Sequence, residues 1–259
     1  MENLSGVNCE FKKIDILDFD LLRDVISNTD GVFHQAGLIS VSESFTNQDK
    51  YHNVNVFGTE NIFELAREFD KKIVFASSAS VYGNVKSMPI TEASHRDPIN
   101  PYGITKLECE KMSVKYHKLG VSIIGLRYFN VYGVGQNKDY AGVITKFIEQ
   151  IHSNRDLTIF GNGSQSRDFI SVNEIVKANL LAMESKTEFA LLNIGSGVSV
   201  SVKELAQLMI KLSGKSLGIN YKSAIEGDIQ NSLADVSFTK KIIGWTNDTT
   251  LEHGMKSLI

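Results

Sequence analysis

Alternation decides the fold class of this chain. Five short runs enriched in β-branched and aromatic residues read as strands: FKKIDIL (11–17), GVFHQAG (31–37), KIVFASS (72–78), VSIIGLRYF (121–129) and FALLNIG (189–195). Between and after them lie segments with helical patterning near 19–28, 56–69, 101–119, 141–153, 172–184 and 202–213. Strands alternating with helices are joined by crossovers, and a crossover sheet is parallel. Two of the helices open on capping-box patterns, Ser171 with Glu174 and Ser201 with Glu204. The stretch 134–168 and the tail after Gly214 break the alternation. With 259 residues, 42% hydrophobic and 22% charged, the chain can bury a large core.

A net charge of −3 gives no basic surface for nucleic acid or an anionic membrane, so neither is an expected partner. Cys9 and Cys109 are far apart and read as thiols of a reducing compartment. No leader pattern or long apolar run is present, and the expected location is cytoplasmic. No metal is expected.

Chemistry concentrates in FASSASVYG (75–83) and NPYGITK (100–106). Tyr-x-x-x-Lys occurs twice, at Tyr82/Lys86 and Tyr102/Lys106. A tyrosine four residues before a lysine shares its face only on a helix. Gly83, Asn84 and Pro89 place Lys86 in a loop. Tyr102 instead follows Asn100, a plausible N-cap, and Pro101 at the first helical position, in a pattern that runs to Gly120. A cation beside a phenol favours its ionised form, and a serine hydroxyl, here Ser78, can bridge phenol and substrate. On spacing alone, Tyr102 and Lys106 could equally be a half-buried helix face with a snorkelling lysine.

Nine ordered stretches carry a resemblance: KIDILD (13–18), VFHQAG (32–37), NVNVFGTENI (53–62), FASSASVYG, PYGITK, LRYFNVYG (126–133), GNGSQSRDFISVNE (161–174), LNIGSG (192–197) and GDIQNSLAD (227–235). From about Glu10 to Trp245 the chain resembles an extended short-chain dehydrogenase/reductase of the NAD-dependent epimerase/dehydratase family, UDP-sugar 4-epimerase-like. The resemblance implies an α/β fold, a Rossmann-like doubly wound parallel sheet with a smaller C-terminal substrate lobe. It implies an NAD-binding domain over 1–133, to which 169–200 return, and a substrate lobe from 134–168 and 214–259. No Gly-x-Gly-x-x-Gly turn occurs, so the chain is expected to begin inside the fold without the first β-α-β unit. The 259-residue chain alone is therefore expected to hold NAD poorly, to be impaired and to aggregate. Strand 10–17 would have to pair directly with 31–36 or stay loose.

The resemblance also implies roles residue by residue. Ser78, Tyr102 and Lys106 correspond to the catalytic set. Asp15 and Ile16 correspond to an adenine-binding pair, although Asp15 could simply cap the next turn. Ala36 and Gly37 lie where backbone approaches the cofactor, and His34 beside them reads as a packing residue. Asn55 corresponds to a cofactor-proximal asparagine at a helix start, or to an N-cap. Tyr128 neighbours the nicotinamide or belongs to the core. For the substrate, Ser80, Asn130, Thr158, Phe160, Arg167, Asp228 and Ser232 are implied. Arg167 suits a diphosphate, while an Arg167–Asp168 surface pair is the plain alternative. Ile225 stands where family members commonly carry arginine.

The kind of reaction follows from absences. Dehydratases of the family usually carry an Asp-Glu pair in the serine motif, and decarboxylases a glutamate before its tyrosine; here Ala79, Ser80 and Val81 stand. Tyr102 is left as the sole evident acid–base, which suffices for 4-epimerisation of a UDP-hexose with NAD recycled. A reductase or dehydrogenase sharing the same residues, and a non-catalytic nucleotide-sugar-binding fragment, are the rivals. Ser232 falls where epimerases restricted to unacetylated hexoses carry tyrosine, which implies room for a 2-N-acetyl group. Family members often dimerise through the Tyr102 helix and its neighbour near 56–69, so a homodimer is the assembly implied.

Overall fold

The computed structural model describes residues 4, 6–136, 142–224 and 229–259. Four parallel strands form the central sheet: β1 (Gly31–His34), β2 (Lys72–Ser78), β3 (Ile123–Tyr128) and β7 (Phe189–Ile194), in the spatial order β1-β2-β3-β7. Their period-2 alternation feeds two cores. Ile73 and Phe75 of β2 and Ile123 of β3 pack under α1 (Phe19–Ile26), α4 (Gly58–Glu68) and α5 (Pro101–Lys118). Val74, Ile124 and Leu126 face the other way, against Ile175, Ala178 and Ala182 of α7 (Val172–Glu184) and the fully buried Trp245. The molecule is thus the doubly wound α/β sheet of a Rossmann-like fold, with helices on both faces.

The segment 11–17 is not a strand. Ile14 and Ile16 still turn their side chains onto the α1/α4 core. The backbone, however, finds no neighbouring ladder, because β1 pairs with β2 on one edge and with nothing on the other among the described residues. Residues 15–18 close a turn instead, with the Asp18 N–H donating to the Asp15 carbonyl at 3.0 Å. Of the two outcomes expected for this run, staying loose is the one observed.

Helix boundaries follow local chemistry. The Asn100 side chain caps α5 by accepting from the Gly103 N–H at 2.8 Å, with Pro101 in the first turn. Gly120, at φ +97°, turns the chain out of α5. The reciprocal capping box is present at α8 (Val202–Ser213), between Ser201 and Glu204. At α7 it is not. Ser171 accepts from the Asn173 N–H, while the Glu174 carboxylate accepts from the Asp248 N–H and the Thr249 hydroxyl, so a tertiary partner outcompetes the box. The helix expected over 56–69 starts earlier: α3 (Gln48–His52) runs through a π-helical turn, Asn53–Phe57, into α4.

The run expected as a strand over 121–129 forms β3, Ile123–Tyr128. The Phe129 N–H makes a last bond to Ile194, and the chain then leaves the main sheet as β4 (Asn130–Tyr132). β4 pairs in parallel with β6 (Ser166–Ser171), which pairs antiparallel with β8 (Ser199–Ser201). Asn130 therefore starts a strand of its own. β5 (Leu157–Phe160) and β9 (Ile219–Lys222) make a separate parallel pair. α6 (Val143–His152), β5, α8 and α10 (Leu251–Lys256) share a third core around Phe147, Leu157, Leu205 and Met255. The short helices α2 (Val41–Thr46) and α9 (Ser237–Ile243) complete the described elements used below.

Candidate active site

Ser78 is the last residue of β2, and its hydroxyl accepts from the Ser80 N–H at 3.1 Å, opening the single 3-10 turn Ala79–Val81. The N-terminus of α5 lies directly on this turn. A Cβ on Gly103 would come within 2.7 Å of the Ser80 carbonyl oxygen, so glycine is what permits the approach. Tyr102 and Lys106 follow one turn apart and are 9% and 6% exposed. The Lys106 ammonium stands 6.0 Å from the Tyr102 ring centroid and donates to the Ala76 carbonyl at 2.9 Å. An ammonium has three N–H donors, and among the described residues the other two meet no acceptor.

The second Tyr-x-x-x-Lys differs in every respect. Tyr82 is fully buried after the 3-10 turn, and Lys86 lies in the following loop. The Tyr82 hydroxyl donates to Asn193 Oδ1 at 2.6 Å and accepts from Arg127 at 2.7 Å. Burial pushes its pKa up to about 12.

Behind Lys106 sits the turn after β1. A Cβ on Gly37 would lie 3.1 Å from Asn55 Oδ1 and 3.5 Å from Lys106 Nζ, so the Gly37 backbone lies close to the ammonium. Asn55 holds this turn in place. Its side chain accepts from the Leu38 N–H, donates to the Leu38 carbonyl and donates to Thr105 on α5. It does so from the middle of the π-helical turn, not from a helix start, and caps nothing. π turns often mark sites where a side chain is re-aimed for function. His34 is buried with Nε2 2.8 Å from Thr59 Oγ1; burial, reinforced by Lys106, lowers its pKa to about 3. Asp15 is exposed and its carboxylate accepts from the Leu17 N–H at 3.0 Å, a local turn cap. Ile16 packs on Gly58 and its carbonyl accepts from Asn61. The Tyr128 hydroxyl bonds Gln35 and Asn179, and burial pushes its pKa up to about 12.

In front of Tyr102 opens a cleft of about 490 Å³ lined by Tyr102, Ser80, Asn130, Thr158, Phe160 and Arg167, together with Lys146 and Gln165. A smaller recess of about 90 Å³ adjoins it, lined by Ser78, Tyr128 and Ser232 as well as Ser80, Asn130 and Arg167. Nine of the residues expected at the site therefore border one connected space. Asp228, like Ile225, lies outside the described residues. No Asp or Glu is among the described residues lining either space, while Arg167 and Lys146 are cations, which suits an anionic ligand. Gln150 anchors Thr158 through its N–H and hydroxyl. Among the described residues no group of three His, Cys, Asp or Glu is arranged to hold a metal. No helix among them is long and apolar enough to cross a membrane.

The plain alternative for Arg167, a surface pair with Asp168, is not what the structure shows. Asp168 is fully buried, and its carboxylate accepts from the Ser196 N–H and hydroxyl and from the N–H groups of Gly197 and Ala234. Burial raises its pKa against those bonds. This clamp, and Lys146, were not legible from spacing. Lys146 sits on an ordinary amphipathic helix, and only the packing of α6 over β5 brings it to the cleft.

The sequence profile described as NAD dependent epimerase/dehydratase family matches residues 2–195. The chain belongs to that family. It is an enzyme family, and the relatives share this chain's whole architecture. The UDP-glucose 4-epimerase of Neisseria gonorrhoeae is 34% identical over 280 residues, covering 99% of this chain and 83% of that protein. The UDP-N-acetylglucosamine 4-epimerase of Methanobrevibacter ruminantium, solved with UDP-N-acetylmuramic acid, superposes with a TM-score of 0.95 at 34% identity, covering 100% of this chain and 85% of that one. The UDP-glucuronic acid 4-epimerase of Bacillus cereus, solved with UDP-glucuronic acid and NAD, superposes at 0.90 with 30% identity, covering 98% and 83%. Ala79, Ser80 and Val81 stand on the 3-10 turn that meets the start of α5, so that turn carries no carboxylate.

Proposed function

We propose that this protein is a nucleotide-sugar 4-epimerase that takes UDP-hexoses, N-acetylated ones included. The observation that carries the reading is the cleft itself: one buried phenol, Tyr102, faces a space whose described lining residues include cations and no carboxylate. The similar 4-epimerases, one of them solved with NAD, support the same reading. The residues present fit the nicotinamide end of that cofactor, because Gly37 offers backbone without a side chain and Lys106 keeps two donors without partners. NAD, when bound, supplies a transient acceptor for the hydride of the sugar's C4.

The chain's residues do the rest. Tyr102 takes the proton of the sugar 4-hydroxyl, with the Ser78 hydroxyl as a bridge at the end of β2. The resulting 4-keto sugar turns within the cleft, and Tyr102 returns the proton after reduction of the opposite face. Arg167 and Asn130, bordering both spaces, hold the diphosphate, and Thr158 and Phe160 flank the base. Ser232, a small residue at the recess beside Ser78, leaves space for a 2-N-acetyl group.

The test supplies purified protein with excess NAD and either UDP-glucose or UDP-N-acetylglucosamine, and follows the C4 epimers chromatographically. Both should interconvert, and both should stop in Tyr102→Phe. Absence of turnover and of binding for the acetylated sugar would sink the specificity claim. Net NADH release with an oxidised sugar would replace the epimerase with a dehydrogenase.

A further inference from the structure

Among the described residues one ion pair is fully buried, and the proposed mechanism does not use it. Glu110 on α5 and Arg127 on β3 are each 1% exposed. Arg127 Nε donates to Glu110 Oε1 and Nη2 to Oε2, both at 2.8 Å, a bidentate pair. Arg127 Nη1 donates to the Tyr82 hydroxyl and the Glu92 carbonyl. Glu110 Oε1 also accepts from the Ser77 hydroxyl at 2.6 Å. A buried ion pair is a poor source of stability, since apolar residues of the same volume serve as well or better. Its geometry, however, is single-valued, which apolar packing is not.

Its location gives that geometry a use. Ser77, Arg127 and Asn193 are register partners across β2, β3 and β7, and the next row is Ser78, Tyr128 and Ile194. On α5, Glu110 lies one turn beyond Lys106 and two beyond Tyr102, on the same helix face. The Glu110 carboxylate thus joins the helix that carries the acid–base to the residues immediately before Ser78 and Tyr128. Tyr82, between Arg127 and Asn193, fixes the exit of the turn that carries Ser80 in the same network.

We infer that Glu110 and Arg127 are positioning residues, a clamp that sets the depth and rotation of α5 so that Tyr102 and Lys106 meet the Ser78 turn. The inference rests on the reading of Tyr102 as the acid–base. Without the clamp, α5 still packs, because its apolar face is unchanged, but Tyr102 loses its fixed place. Misplacement of a reacting group by about 1 Å is enough to cost roughly a hundredfold in rate.

The test compares three proteins. Glu110→Gln keeps the shape and one acceptor oxygen, enough for Ser77 and Arg127 Nε, but sets an amide N–H against the second guanidinium donor. Glu110→Ala strands a buried guanidinium and is the variant at risk of not folding. The paired replacement Glu110→Leu with Arg127→Met fills the space with apolar groups and keeps the fold available for measurement. In the paired variant we expect kcat with NAD and UDP-glucose to fall roughly 10- to 100-fold while KM for the UDP-sugar changes less than about threefold. Glu110→Gln, which keeps part of the clamp, should lose less rate than the paired variant. The titration of the Tyr102 phenol, read as the absorbance difference against Tyr102→Phe, should shift in the paired variant, and this readout needs no turnover. A folded paired variant with wild-type kcat and an unmoved Tyr102 titration would overturn the clamp. If the parent protein binds UDP-sugar yet forms no epimer, the proposed reaction fails, and the titration alone decides the clamp.

Discussion

In the proposed mechanism Tyr102 is the acid–base, and Tyr82 is its built-in control. Tyr102→Phe should lower epimerisation by roughly two to four orders of magnitude with little change in UDP-sugar affinity. Tyr82→Phe should leave turnover within a few-fold but cost about 1–3 kcal/mol of stability in urea titration, because Arg127 and Asn193 each lose a partner. Equal loss of activity in both would reverse the assignment. Arg167→Ala should weaken UDP-sugar binding about 10- to 100-fold by calorimetry, the worth of roughly 1.5–3 kcal/mol for a hydrogen bond to charge. His34 gives a pH signature. Its pKa falls from 6.5 unfolded to about 3 folded, chiefly through burial and then through Lys106. The unfolded state therefore binds more protons between those limits, and the stabilisation present above pH 6.5 is lost as pH falls toward 3, at up to about 1.4 kcal/mol per unit. Between pH 7 and 5, the protein should lose about 2 kcal/mol more than His34→Gln. Parallel losses would show that His34 is not the sensor.

At the scale of elements, α5 matters most, and its start is set by a glycine. Gly103→Ala places a methyl 2.7 Å from the Ser80 carbonyl, so the helix must lift from the turn that carries Ser80. Turnover should drop at least about tenfold while alanine's better helix propensity limits the loss of stability. Wild-type turnover would mean that the contact relaxes elsewhere. The α5 helix was legible in the sequence because Asn100, Pro101 and Gly120 mark both its ends. The position of Asn55 was not, because hydrophobic spacing of period 3.6 does not reveal a π turn, and so a helix interior was read as a helix start. Ser171 and Glu174 match the box pattern, but Glu174 is taken by the backbone of Asp248 and the hydroxyl of Thr249, a contact over more than 70 residues that local reading cannot see. β4, β5, β8 and β9 span only three or four residues each, too few for alternation to register.

For the whole molecule, alternation of apolar runs carried the parallel order of the main sheet. It failed at 11–17, where the side-chain pattern of a strand is present but a hydrogen-bonding neighbour is not. A strand is a property of two segments, and one segment's sequence states only half of it. The site was legible where residues follow strand ends and helix starts. Lys146, Asp168 and the Glu110–Arg127 pair needed the packed structure. In the proposed mechanism one phenol and a transiently oxidised C4 interconvert the two sugar epimers. The direct measurement is proton NMR of UDP-glucose with the protein and excess NAD in deuterium oxide. If the mechanism holds, both C4 epimers appear with no net NADH and no deuterium on sugar carbon, because the hydride leaves and returns without exchange; Tyr102→Phe should abolish the second epimer. Deuterium at C5, accumulation of NADH with an oxidised sugar, or a UDP-sugar that binds and stays unchanged would contradict it.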